Sequence, residues 1–147
     1  MSAIAQQSGL AATNESRHTR SKVKRILIVD DSKLMRDMVS ACLRPLGDAG
    51  FEFASTGLEA IERLSLARFE LVVLDLNMPD VGGIEVLEFV RAQDHLRTLP
   101  ILVVTTRGDD DNRTRVLAAG ASAFLAKPFT PPQILDEARR LISSNAA

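Results

Sequence analysis

Short apolar runs alternate with helically spaced segments along most of this chain, and that alternation constrains its fold more than any single residue does. Five runs read as strands: Ile26–Val29, Phe51–Ser55, Leu71–Leu74, Ile101–Val104 and Ala123–Ala126. Ile26–Val29 and Leu71–Leu74 are wholly apolar, as buried strands are, whereas Phe51–Ser55 alternates apolar with polar residues like a half-exposed edge strand. Ser32 caps a first helix on which Leu34, Met35, Met38, Val39, Cys42, Leu43 and Leu46 recur at helical spacing, and Pro45 and Gly47 close it. A second helix begins after Gly57 and carries Leu58, Ile61, Leu64 and Leu66; a third follows Gly82 and Gly83 with Ile84, Val86, Leu87, Phe89 and Val90. Asp109–Ala119 forms a fourth, with an acidic first turn that suits the helix dipole and Gly120 as its stop. Thr130 caps a fifth, whose first turn accepts Pro131 and Pro132. Five strands alternating with five helices predict an α/β fold, a parallel sheet covered on both faces, in a single domain without internal repeats.

Composition narrows the class. A chain of 147 residues, 46% hydrophobic and 25% charged, is that of an ordinary water-exposed domain with a sizeable core. No run is apolar enough to cross a membrane, and the absence of a basic-then-apolar leader makes the cytoplasm the expected address. Cys42 is the single cysteine, which excludes an internal disulfide and a cysteine-based zinc or iron–sulfur centre; its place on an apolar stripe predicts a packing role. The net charge of −1 hides an asymmetry. Residues 1–25 hold Arg17, Arg20, Lys22, Lys24 and Arg25 against Glu15, a net of +4, and the remaining 13 basic and 18 acidic residues leave 26–147 at −5. Residues 1–25 are expected to be a disordered basic tail, 26–143 the folded domain, and 144–147 a short C-terminal tail.

The chemistry lies where the strands end. Asp30 and Asp31 follow the first strand, Asp75 the third, Thr105 the fourth and Lys127 the fifth. In a doubly wound, flavodoxin-like sheet of order 2-1-3-4-5 the first and third strands are neighbours, and ligands gather outside their carboxyl ends. Three carboxylates brought together there repel one another unless a cation neutralises them. Magnesium, a hard ion content with few protein ligands, fits that need better than a caged calcium. Lys127 adds a fixed positive charge to the same group.

This constellation resembles the receiver domain of two-component response regulators over roughly residues 26–142. The residues that carry the likeness are Asp30-Asp31, Asp75 within Asp-Leu-Asn-Met-Pro-Asp-Val-Gly-Gly, Thr105 after Pro-Ile-Leu-Val-Val, and Lys127-Pro128-Phe129. The resemblance implies that Asp75 accepts a phosphoryl group from a histidine kinase. It also implies that Asp30, Asp31, Asp75 and the backbone carbonyl of Asn77 hold Mg2+. Lys127 and Thr105 would meet phosphoryl oxygens. Thr105 and Phe124 would then move as a switch, altering the surface made by the fourth helix, fifth strand and fifth helix for a target protein. A cis peptide between Lys127 and Pro128 is implied too. Phe124 stands where the family often has tyrosine, Thr106 where a smaller residue is frequent, and Arg107 at a variable position that, with Asn77, tunes phosphoryl lifetime.

A chain ending at Ala147 is expected to act through protein contact rather than through an appended DNA-binding or catalytic domain, as chemotaxis-type regulators do. It would be a monomer or weak dimer, and no enzyme beyond its own phosphorylation and slow dephosphorylation. Other readings are a phosphorelay intermediate that passes the group to a histidine phosphotransfer protein, or a scaffold that takes no phosphate. An aspartyl-phosphate phosphatase would need a second Asp where Asn77 stands. A flavin-binding domain would need a Ser/Thr/Gly-rich loop in place of Asp30-Asp31. His18 and His95 lie outside the constellation, and the Asn14 and Asn112 sequons carry little weight without a secretion signal.

Overall fold

The structure, a computed structural model, describes residues 23–78, 81–106 and 108–146. Expectations for 1–22, for Pro79 and Asp80, for Arg107 and for Ala147 lie outside these residues. The strands are β1 (Lys24–Val29), β2 (Ala49–Ala54), β3 (Leu71–Asp75), β4 (Ile101–Thr105) and β5 (Ala123–Ala126). The helices are α1 (Lys33–Leu43), α2 (Gly57–Leu66), α3 (Gly83–Ala92), α4 (Asp110–Ala118) and α5 (Pro131–Ala146). All strand pairs are parallel, in the order β2-β1-β3-β4-β5 expected from the sequence.

Because side chains alternate along a strand, the sheet sorts its apolar residues between two cores. Leu27, Val29, Val72, Leu74, Ile101 and Val103 face α2, α3 and α4, meeting Leu64, Val86, Leu87, Val90 and Val116. Ile26, Ile28, Leu71, Val73, Leu102 and Val104 face α1 and α5, meeting Val39, Leu43, Ile134, Ala138 and Leu141. Double coverage explains why the central strands read as unbroken apolar runs. Edge strand β2 is mostly half-buried.

The helix starts are set by side-chain caps. Ser32 Oγ accepts from the Met35 amide at 3.2 Å, Thr56 Oγ1 from Glu59 at 3.0 Å and Asp109 Oδ1 from Asn112 at 2.8 Å. Thr130 and Gln133 form a reciprocal capping box at α5: the Gln133 amide donates to Thr130 Oγ1 at 3.3 Å and the Thr130 amide to Gln133 Oε1 at 2.8 Å. Gly120 ends α4 at φ 120°, a conformation that favours glycine.

Several boundaries differ from expectation. β1 begins at Lys24, so Lys24 and Arg25, assigned to the basic tail, are strand residues: they pair with Ala49 and Gly50, and Arg25 binds Glu52 through its side chain. Helix α5 runs on through residues 144–146, assigned to a tail, because no glycine or proline after Pro132 stops it. Leu34, Leu58 and Leu66, counted on apolar stripes, are exposed, as is Met38 to a lesser degree. The packed stripe of α1 runs instead through Met35, Val39, Cys42 and Leu43; the helix ends there, and Leu46, expected on the same helix, joins the α1/α5 core from the 3-10 turn Arg44–Leu46. Cys42 is thus a packing residue, and burial pushes its thiol pKa up.

Candidate functional site

Strand order creates the site. The chain steps from β1 outward to β2, then returns to lay β3 on the other flank of β1, so the loops after β1 and β3 part above the sheet. Asp30 and Asp75 close those two strands and are both 3% exposed, while Asp31 lies exposed beside them. One carboxylate oxygen from each of Asp30, Asp31 and Asp75 lies within 4.8 Å of the others.

Local structure aims each group. Asp30 Oδ1 accepts from the Ser32 amide at 3.0 Å, so the residue that caps α1 also fixes the first carboxylate. The Arg36 guanidinium donates to the Asp30 carbonyl at 2.8 Å, tying the next turn of α1 to the same loop. At the third strand, Asp75 Oδ1 accepts from the Asn77 amide at 3.3 Å. Gly83 lets α3 begin against this junction, since a Cβ there would stand 2.8 Å from the Leu76 Cα and 3.2 Å from the Asp75 carbonyl. From β5, Lys127 extends its ammonium to Asp30 Oδ2 at 3.3 Å and Asp75 Oδ1 at 3.4 Å, and its amide donates to the Thr105 carbonyl at 2.7 Å. The Lys127–Pro128 peptide is cis.

Thr105, fully buried at the end of β4, receives the Asn77 amide group at 3.4 Å, and exposed Thr106 receives it at 3.3 Å. That bridge was not visible in the sequence. The β3–β4 register, Asp75 opposite Val104, puts Asn77 beside the end of β4, but the choice of rotamer follows from the folded loop. Phe124 lies on β5 opposite Val103 and is buried, with the Arg113 guanidinium 5.4 Å from its ring centroid. His95 is exposed on the short turn Asp94–Leu96, away from the carboxylates. Asn112 is buried within α4, which sets aside its sequon.

The electrostatics are those of crowded anions. Burial raises the Asp75 pKa first and the neighbouring Asp30 charge raises it further; Lys127 and the Asn77 amide oppose them, and the net shift is upward. Among the described residues, three carboxylates gather here and the Lys127 ammonium pairs with two of them, Asp30 and Asp75, which leaves negative charge in excess. An all-oxygen donor set of this charge and spacing fits a hard divalent cation.

The expected Asp30, Asp31, Asp75, Thr105 and Lys127 therefore converge on one sheet edge, with Asn77 beside them. The chain matches the response regulator receiver domain over residues 26–139. It is 39% identical over 113 residues to the chemotaxis protein CheY of Pseudomonas aeruginosa, an alignment covering 77% of this chain and 90% of that one. The structure is similar to that of the chemotaxis response regulator CheY4 of Vibrio cholerae, with a TM-score of 0.76, 36% identity, and coverage of 82% and 99% of the two chains. It is also similar to the receiver domain of the sensor histidine kinase PA1611 from P. aeruginosa, solved with a magnesium ion coordinated in its active-site cleft, at a TM-score of 0.75, 27% identity and coverage of 82% and 98%. On sequence, fold and the placement of its acidic residues, this chain belongs to the response regulator receiver family.

Proposed function

We propose that the protein is a stand-alone response regulator, phosphorylated on Asp75 by a histidine kinase and read out by a target protein. The observation that carries this reading is the buried Asp75 carboxylate, joined to the buried Asp30 carboxylate through the Lys127 ammonium that contacts both. In the transfer, an Asp75 oxygen forms a bond to phosphorus as the phosphorus–nitrogen bond of phosphohistidine breaks, and the imidazole nitrogen keeps the electron pair. Among the described residues, the Asn77 amide and the Lys127 ammonium both donate to Asp75 Oδ1, which suits Oδ2 to the attack. Lys127 then pairs with a phosphoryl oxygen, and the Thr105 hydroxyl donates to another. Asp30, Asp31, Asp75 and the Asn77 carbonyl would hold Mg2+, which when bound offsets negative charge on the transferring group. The rest of the catalysis is positioning.

Thr105 and Phe124 relay the change to the face formed by α4, β5 and α5. Kinship with proteins described as chemotaxis regulators supports a motility pathway and a cytoplasmic setting. Among the described residues no helix is long and apolar enough to cross a membrane. The test is intact mass after incubation with Mg2+ and acetyl phosphate, wild type against Asp75→Ala. A single phosphoryl adduct confined to the wild type is expected. No adduct, with acetyl phosphate or with a phosphorylated kinase, would leave a scaffold that takes no phosphate.

A further inference from the structure

Of helices α1–α5, the one that buries the fewest side chains stands over the ring proposed to report phosphorylation. Helix α4 buries only Asn112 and Val116 among its described side chains. One residue on from Asn112, the exposed Arg113 side chain reaches down to β5, with its guanidinium carbon 5.4 Å from the Phe124 centroid. No ion pair or side-chain hydrogen bond joins Arg113 to another described residue, so this stack is the contact that places it. The ring beneath is 7% exposed and packs with Val103 and Val116 in the core shared by α2, α3 and α4. It is also close in sequence to the site: two residues on, Ala126 lies opposite Thr105, and Lys127 follows.

We propose that Arg113 is a positioning residue for Phe124, a cationic latch that holds the ring in its inward place before any phosphoryl group arrives. The inference rests on the phosphoacceptor reading and deepens it by naming what sets the ring's resting equilibrium. A tyrosine at this position could hold an outward place through its hydroxyl; phenylalanine has no such group, so the cation over its face is the polar contact left to bias it. Outward rotation would strip the ring of the guanidinium and expose it to water, and both effects oppose the movement. The output face formed by α4 and β5 is therefore partly preset, and Arg113 governs by how much.

The experiment is fluorine NMR of protein labelled with 4-fluorophenylalanine at its six phenylalanines, the Phe124 resonance being assigned through Phe124→Leu and Phe124→Tyr. Wild type, Arg113→Ala and Arg113→Lys are compared free and with Mg2+ and beryllofluoride. In free Arg113→Ala the Phe124 resonance is expected to move toward that of a solvent-exposed ring and to gain a deuterium-solvent shift. The inward-to-outward ratio should fall about two- to five-fold, the range of an exposed cation–π contact. Arg113→Lys should lie between. Beryllofluoride should return the Arg113→Ala resonance to the wild-type position. An unchanged Phe124 resonance in free Arg113→Ala, with the other five also unchanged, would overturn the latch. Failure of beryllofluoride to perturb any wild-type resonance would count against the phosphoacceptor reading instead, and would leave the free-protein comparison standing.

Discussion

Asp75 occupies its place against its own ionisation. Burial and Asp30 raise its pKa above that of a free carboxylate, and Lys127 only partly counters them. A carboxylate whose folded pKa is raised favours the fold while protonated, below its unfolded pKa of about 3.9. That contribution is lost as pH rises through the raised folded value. Near neutral pH the ionised group therefore works against the folded state in protein stripped of divalent ions. Asp75→Asn, nearly the same shape without the charge, should melt above wild type in chelator at pH 7 by calorimetry. The gap should close as pH is lowered toward 4. A lower midpoint for Asp75→Asn at pH 7 would mean that the Lys127 contact outweighs burial and repulsion. Lys127→Met should act the other way. It leaves two buried carboxylates without their ammonium, and losing one partner of a buried pair costs about 3–5 kcal/mol. Asp30, Asp75, Thr105 and Lys127 were legible in the sequence because each stands where an apolar run stops. The Asn77 bridge and the Arg113 stack were not, since each joins side chains from different elements through rotamers that exist only once the loops are packed.

At the scale of elements, β1–β5 and α1–α5 were legible, whereas the short 3-10 turns Arg44–Leu46 and Asp94–Leu96 were not, and neither was every face. Leu34 and Leu43 both sit at helical spacing on α1, yet Leu34 is 81% exposed and Leu43 fully buried. Spacing alone left a stripe wide enough to hold both; docking of α1 against β1 and α5 selected one side of it. Leu34→Ala should therefore shift denaturant stability by no more than about 0.5 kcal/mol. Leu43→Ala should cost about 2–5 kcal/mol, for lost burial and the cavity left behind. Arg91 is a second case. It lies in the last turn of α3, stands on no apolar stripe that the sequence marks, and is half-buried. It donates to the carbonyls of Gly120, Leu96 and Arg97 and to Ser122 Oγ, which in turn accepts from the Ile101 amide at 3.0 Å. One side chain thus ties the C-terminal end of α3 to the entries of β4 and β5. Arg91→Met keeps the aliphatic stem and leaves those carbonyls to find water. A loss of about 2–3 kcal/mol is expected by urea unfolding, since donors to several partly buried acceptors vanish together. A loss under 0.5 kcal/mol would mark the network as a surface feature.

At the scale of the molecule, the same parting of loops that makes the site concentrates its charge there, so a divalent cation should act on folding as well as on chemistry. The unfolded chain holds Asp30 and Asp75 far apart in sequence and offers no comparable cluster. An ion that binds the folded state alone stabilises it by about 2.7 kcal/mol at a hundred times its dissociation constant. For a domain of this length that is a rise in melting temperature on the order of 5–10 °C. Wild type should therefore climb with the logarithm of Mg2+ concentration in a calorimetric titration. Asp75→Asn should start higher, freed of its buried charge, but climb much less, having lost an anionic ligand. The two curves are then expected to cross. Asp31→Asn separates the two effects, because Asp31 is exposed and its charge burdens the metal-free fold far less than the buried pair does. It should start at the wild-type midpoint and still climb less. Three parallel curves would instead show that Mg2+ screens the acidic surface at large, and that these carboxylates are not its ligands.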